Sequence, residues 1–329
     1  MTKATLLIAI LSCLFCFSTM AQTRVASVGF YNLENLFDAI DDPLINDEEY
    51  LPTGERQWTN ERYTAKLANM AKVLSDMRLD LVGVCEVENR KVLEDLINDP
   101  QLCNRGYDII HFDSKDRRGI DVAALYRPQI FKLIQSSVHS VSDPTEPDFI
   151  TRDVLLASGI VGNRDTLHFI VNHWPSRWGT GGEPKRLLAA QVARSLVDSL
   201  QSSNHKAKIV ITGDFNDDPR NKSINRVLNA KIEPKEPGQL LNTSYPTYRQ
   251  GIGTLYYNGA YNLFDQIIVS EGLTGSGLRY QPNSFTIASY QYLTHPSGDL
   301  KGTPYRTFSR GQYLNGYSDH FPVFITLIY

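Results

Sequence analysis

The feature that most constrains this chain is where its apolar runs stop. Runs rich in β-branched and aromatic residues recur from end to end, at 24–31, 79–87, 122–126, 166–172, 208–212, 262–269 and 322–328. Each is bounded by turn-forming residues, which predicts strands. An acid, an amide or an imidazole repeatedly stands at the end of a run. Asn32 and Glu34 follow the first, Glu86 closes the second, His173 closes the fourth, and Asp214 and Asn216 follow the fifth. Asp265 interrupts the sixth, and Asp319 and His320 precede the last. Strands laid side by side would bring these ends to one rim, where α/β folds place their sites.

Helical periodicity separates some of the strands. Residues 60–77 space Tyr63, Leu67, Met70, Leu74 and Met77 at steps of three and four, and 183–201 do the same with Leu187, Ala190, Leu196 and Leu200. Both predict amphipathic helices that pack on a sheet. A shorter candidate covers 225–230. Strands mixed with helices predict an α/β (α+β) architecture, and consecutive strands without a helix between them predict hairpins and a mixed sheet. Two stacked sheets flanked by helices accommodate the pattern. Residues 38–59 and 270–312 read as long loops rich in Asp, Pro, Gly and Tyr, of the kind that serve a site.

The N-terminus reads as an export signal. Lys3 gives a positive start, 5–17 are apolar, and Thr19-Met20-Ala21 offers small residues for cleavage. The expected division is a leader at 1–21 and one domain at 22–329, exported to the periplasm or beyond. The apolar stretch is shorter than the ~20 residues a bilayer requires, and no other segment reads as a span. Cys13 and Cys16 leave with the leader. A disulfide between Cys85 and Cys103 is permitted in an oxidising compartment, but Cys85 sits in an apolar strand and reads as a small core residue. The net charge of −3 supplies no bulk attraction to nucleic acid or anionic lipid, so a polyanionic substrate would need a local basic patch. Lys115, Arg117, Arg118, Arg177, Lys185 and Arg186 offer one, with Arg118 and Arg177 the residues expected to touch substrate phosphate. Trp174 and Trp178 flank Arg177 and read as packing for that loop. A monomer is expected.

The residue types at the rim fit one chemistry. Carboxylate oxygens are hard ligands for Mg²⁺, Mn²⁺ or Ca²⁺. A histidine moves a proton near neutral pH, a carboxylate behind it fixes its tautomer, and an asparagine amide holds a phosphate oxygen or a water. No nucleophile elbow, Walker loop or Cys/His zinc spacing is present.

The motifs also carry a resemblance. Gly213-Asp214-Phe215-Asn216, then Asp217-Asp218-Pro219, resembles the GDFN motif of the endonuclease/exonuclease/phosphatase superfamily. Ser318-Asp319-His320-Phe321-Pro322 resembles its terminal SDH-x-P motif. The stretches 30–37, 84–88 and 171–177 resemble its asparagine, metal-glutamate and central histidine motifs, in the family's order. Cys85 stands where the family usually has glutamine. The resemblance implies a four-layered α/β/β/α sandwich of two mixed β-sheets between helices. It implies that Glu86 ligates a divalent metal, Mg²⁺ foremost, with Asn32 and Asp319 nearby. Asp214 would orient or deprotonate water, Asn216 would hold it, His320 paired with Asp265 would face the phosphoryl group, and His173 would be a second imidazole opposite. Asp121 lies near where deoxyribonuclease-like members place an acid behind that imidazole. Glu34 reads as a turn residue. The expected activity is metal-assisted hydrolysis of phosphodiesters, a nuclease first. The alternatives are a sphingomyelinase-like or inositol-phosphate hydrolase, or a non-catalytic binding module.

Overall fold

In the computed structural model, residues 24–162, 165–177 and 182–329 are described. The expected leader, Cys13, Cys16 and Trp178 lie outside them. The strands assemble into two large sheets. The first holds β1 (Val25–Leu36), β2 (Leu81–Val87), β3 (Asp108–His111) and β4 (Asp121–Tyr126). The second holds β5 (Phe131–His139), β6 (Val154–Val161), β7 (Asp165–His173), β8 (Lys208–Asp214), β9 (Ala230–Lys231) and β10 (Leu240–Asn242). A separate hairpin joins β11 (Leu255–Tyr257) to β12 (Ala260–Asn262), and β13 (Asp265–Val269) returns to the second sheet. The short β14 (Arg279–Tyr280) and β15 (Thr286–Ile287) border the first sheet, β16 (Phe308–Ser309) and β17 (Gln312–Tyr313) form a hairpin, and β18 (Val323–Ile328) closes the first sheet beside β1.

Both sheets are mixed. In the first, β1 runs parallel to β2 and antiparallel to β18. In the second, β7 runs parallel to β8 and β8 antiparallel to β13. The C-termini of β1, β2, β7 and β8 and the N-termini of β13 and β18 therefore lie at the same end of the sandwich.

Alternating side chains divide the core into layers. Phe30, Cys85, Val122 and Ala124 face Leu155, Phe169, Val171, Val210 and Ile267 between the sheets. On the outer face of the first sheet, α1 (Asn60–Met77) and α2 (Arg90–Asn98) bury Leu67, Met70, Leu74, Leu93 and Leu96 against Tyr31, Leu33, Val82 and Val84. On the outer face of the second, α3 (Gly182–Ser203) buries Ala190, Ala193 and Val197 against Ile170, Ile209 and Ile211. Each fully buried aliphatic side chain contributes about 1.5–3 kcal/mol. The result is the expected α/β/β/α order. The periodicity at 60–77 gave α1 its bounds because both ends are capped: the Thr59 hydroxyl accepts from the Arg62 N–H, and Arg78 turns left-handed at φ 53°.

Several expectations are corrected. The candidate helix at 225–230 is a single wide turn, Ser223–Val227, and Ala230 already belongs to β9. The run 262–269 breaks into the end of β12 and β13. The loop expected at 270–312 carries β14 to β17 as short strands. The strands β3, β5 and β6 and the helix α2 had not been read. Cys85 is buried and Cys103 exposed, both as free thiols. Among the described residues no helix is long and apolar enough to cross a membrane.

Candidate functional site

Bulged strand ends build the site. Asn32, Glu34 and Glu86 do not follow their strands, as their position in the sequence implied, but lie inside β1 and β2, which continue past them; Asp214 ends β8, Asn216 follows it, Asp265 opens β13, and Asp319 precedes β18. The pairing of β1 with β2 shifts between Asn32 and Leu36, and that of β2 with β4 between Cys85 and Val87. Glu34, Asn35 and Glu86 take left-handed backbones there, at φ 48°, 55° and 60°. An extra residue in one strand re-aims its side chain. Asn216 also has φ 50°. Left-handed non-glycine residues cost energy and persist where function or the surrounding structure demands them.

Register does the rest. Asp214 pairs across the ladder with His173 on one side and Asp265 on the other. Gly213 lies so close to β7 that an added Cβ would sit 2.2 Å from the Asn172 carbonyl oxygen, which accounts for the glycine before Asp214. The first sheet then meets the second: Asn32 Nδ2 donates to Asp214 Oδ2 at 3.1 Å and to Glu86 Oε1 at 3.1 Å. The Asn32 side-chain oxygen accepts from the Glu34 N–H, so its amide N–H groups, not its oxygen, face the carboxylates.

The two imidazoles stand on either side of Asp214. His173 Nε2 lies 3.7 Å from Asp214 Oδ2 and 3.8 Å from Glu86 Oε1. His320 Nε2 lies 3.7 Å from the same Asp214 oxygen, and its Nδ1 is bonded to Asp265 Oδ2 at 2.7 Å. Burial opposes charge on His320, but Asp265, Asp214 and Asp319 outweigh it and hold its pKa well above the usual value. Burial, with the fields of Arg152, Arg118 and His320, drives His173 well below it. Asp214 is pushed up to about 7 by burial and by Asp265 and Glu86, against the pull of His320.

The arrangement suits a hard cation. Glu86, His173 and Asp214 offer ligand atoms within 4.8 Å of one another, a spacing that one small ion can span. The His173 Nδ1 is buried without a hydrogen-bond partner. Glu86 Oε2 is steadied by the Asn35 N–H at 3.0 Å. Asp319 stands apart from that triplet: its Oδ2 accepts from Arg306 Nη2 at 3.1 Å, and its Oδ1 is 4.0 Å from His320 Nε2.

Other expected residues fall as follows. Asn216 donates a side-chain N–H to the Trp174 carbonyl and its backbone N–H to Asp214 Oδ1. Arg118 is exposed, donates to Asn35 Oδ1 at 2.7 Å, and lies close enough to act on His173. Arg177 is occupied: it donates to the Asn216 carbonyl and pairs with Asp218 at 3.0 Å, so it ties down the loop after β8. Trp174 is buried against Phe215. Asp121 pairs with His111 Nε2 at 3.0 Å and not with His173.

Sequence reading passed over one cluster. Glu34 is buried and raised to about 7 by burial and by Asp319, with Lys66 and Arg306 opposing. It accepts from Arg306 Nε and from the Thr307 N–H. Lys66 is buried beside it, lowered to about 8 by burial, and bonds Thr307 and the Tyr317 carbonyl. The cluster anchors the 306–317 segment against the site. An acid two residues beyond Asn32 was the only signal for it.

The fold is shared with solved structures. The chain aligns over 92% of its length with 98% of a humanized TDP2 from D. rerio (14% identity, TM-score 0.58). It aligns over 94% with 99% of an endonuclease/exonuclease/phosphatase family protein from Bacteroides thetaiotaomicron (18%, 0.56). It aligns over 92% with the whole of a mannosyl-6-phosphatase from the same organism (17%, 0.56). No curated protein matches it. The model of the Endonuclease/Exonuclease/phosphatase family matches residues 27–328, nearly the whole described chain, and the chain belongs to that family.

Proposed function

We propose that this chain is an exported, divalent-metal-dependent phosphodiesterase, a nuclease in the first instance, with the metal held by Glu86 beside Asp214. The observation that carries the reading is the pair of imidazoles on either side of one buried carboxylate, each 3.7 Å from its Oδ2, with Asp265 bonded to His320 alone and the two pKa values displaced in opposite directions. Titratable neighbours pushed apart in this way mark an acid and a base.

The bound cation would polarise the phosphoryl group and offset the charge that develops there. The protein's own groups supply the rest. His320, held cationic by Asp265, presents an Nε2–H to a phosphoryl oxygen. Asp214 orients the attacking water and takes up its proton. Asn32 keeps Asp214 and Glu86 in register through two N–H bonds. His173, neutral and buried, offers Nε2 to the cation or the water. Exposed Arg118 contacts a phosphate oxygen at the mouth.

A small phosphomonoester is the second reading. Three of the six cations expected to form a basic patch are paired with carboxylates: Lys185 with Asp143, Arg186 with Asp217, Arg177 with Asp218. The likeness to a mannosyl-6-phosphatase supports the same reading. Plasmid DNA, RNA, sphingomyelin, inositol phosphates and mannose 6-phosphate, each with Mg²⁺, Mn²⁺ or Ca²⁺, separate the readings. Asp214→Asn should lower kcat by about two to four orders of magnitude on whichever substrate turns over. Turnover that survives chelation, or an Asp214→Asn variant as fast as the parent, would reject this mechanism.

A further inference from the structure

Two hairpins in this molecule share one turn. The loop between β11 and β12 is Asn258-Gly259, with φ 49° and 80°. The loop between β16 and β17 is Arg310-Gly311, with φ 50° and 77°. Two left-handed residues in a two-residue loop favour Asn, Asp or Gly at the first position. Asn258 obeys that preference and Arg310 does not. A long side chain there costs about 1–2 kcal/mol. Nothing local offsets the cost, since Arg310 is exposed and forms no hydrogen bond or ion pair among the described residues.

The hairpin borders a cleft of about 450 Å³ whose lining includes Glu34, Asn35, Arg56, Arg306, Phe308 and Arg310. The cleft adjoins the candidate metal site, because Asn35 donates to Glu86 and Arg306 bonds both Glu34 and Asp319. Arg56 pairs with Glu49 at 2.6 Å and lies over the Phe308 ring at 5.0 Å. Two of the three guanidiniums thus already have carboxylate partners, and the third is held free at the rim by a strained turn.

We propose that this cleft is a second anion subsite, in which Arg310 recognises a second phosphate group on the substrate. The inference rests on reading the adjacent centre as a phosphoesterase. Arg306 and Arg56 retain N–H groups for oxygen ligands beyond their carboxylate bonds, and Arg310 brings the unpaired charge. The second phosphate has two sources: the neighbouring phosphate of a nucleotide chain, or the other phosphate of a sugar or inositol bisphosphate.

Steady-state kinetics of the Mg²⁺-loaded protein on dithymidine monophosphate and its 5′- and 3′-phosphorylated forms, beside inositol mono- and bisphosphate, test this. The expected result is a higher kcat/KM for the member of a pair that carries the second phosphate. Arg310→Glu should reduce that preference about tenfold, and Arg310→Lys should keep most of it. Loss of preference in the nucleotide pair alone or the inositol pair alone identifies the source. Changes of equal size on both members of every pair overturn the subsite. Binding of thymidine 3′,5′-bisphosphate by calorimetry, with chelator present to prevent turnover, provides the independent readout. Equal affinity of the parent and Arg310→Glu would end the proposal even where hydrolysis is seen. No turnover of any substrate, with binding still lost in Arg310→Glu, would instead count against the catalytic reading.

Discussion

His173 and His320 stand on either side of one carboxylate, each 6% exposed, yet the protein treats them in opposite ways. His320 lies on the side of the acids. Asp265 is bonded to its Nδ1, and Asp214 and Asp319 lie within 4.0 Å of its Nε2. His173 also faces carboxylates, Asp214 at 3.7 Å and Glu86 at 3.8 Å from its Nε2, but none is bonded to it. Its Nδ1 has no hydrogen-bond partner, Arg152 donates to its carbonyl, and the charges of Arg152 and Arg118 oppose its protonation. Burial alone would make both imidazoles neutral. The difference therefore comes from the neighbours, and a neighbour can be removed.

The largest effect should come from Asp265→Asn. The amide has the same shape but no charge, so it removes the main force that keeps His320 protonated and unfixes its tautomer. We expect kcat to fall by about 10²–10⁴-fold, with the rate now declining from a lower pH as His320 gives up its proton. A pH–rate profile of this variant on any substrate the parent cleaves checks it. An alkaline limb unmoved from the parent's would show that Asp265 does not set the charge of His320, and the comparison would lose its first half.

Arg152→Met probes the other half at smaller amplitude. Arg152 is held by Asp116 at 3.1 Å and by the Trp174 carbonyl. Loss of its charge, with Asp116 left unpaired nearby, should raise the pKa of His173. More of the imidazole is then cationic in mild acid, and the rate at pH 5.5 relative to pH 8 should fall about two- to fivefold against the parent. The ring resonances of His173, followed by NMR titration, give the direct measurement. A midpoint that stays put or moves down would mean that Arg152 does not hold this residue neutral.

These neighbours differ in how far the sequence announces them. The two histidines, Asp214, Asp265 and Glu86 were legible because each ends, interrupts or precedes a long apolar run, and the same runs made the layers legible. The helix α1 was readable to the residue from five apolar positions at steps of three and four. The strand β5 was not, because Gln135, Ser136 and Ser137 break its alternation at the sheet's edge. The helix α2, at nine residues, offers too few turns for a period. In the site, the bulges at Glu34 and Glu86 leave no trace in residue type, and they decide where the carboxylates point. Arg306 approaches Glu34 across 272 residues from a loop without periodicity. Arg152 and Asp116 pair across 36 residues. Hydrophobic patterning encodes which layer a residue joins; it carries little about which charges meet at the layers' ends.

The smallest effect sharpens the comparison because the two residues should differ in sign. A histidine whose folded pKa is raised stabilises the fold fully below its unfolded value near 6.5, and that stabilisation is lost as pH rises through the folded pKa. His320 is such a group. A histidine whose folded pKa is lowered favours the fold above about 6.5, and that contribution is lost as pH falls through the depressed value. His173 is that group. In chelator, His320→Gln should therefore lower Tm more at pH 6 than at pH 9, and His173→Gln should lower it less at pH 5 than at pH 8. Each difference should be of the order of 2 °C, the response of a chain this size to somewhat less than 1 kcal/mol. Thermal melts of both variants beside the parent read it out. Because groups shared by the parent and the variants cancel, parallel curves for the two variants would mean that the imidazoles carry the same charge in the folded protein, and the division of labour between them would fall.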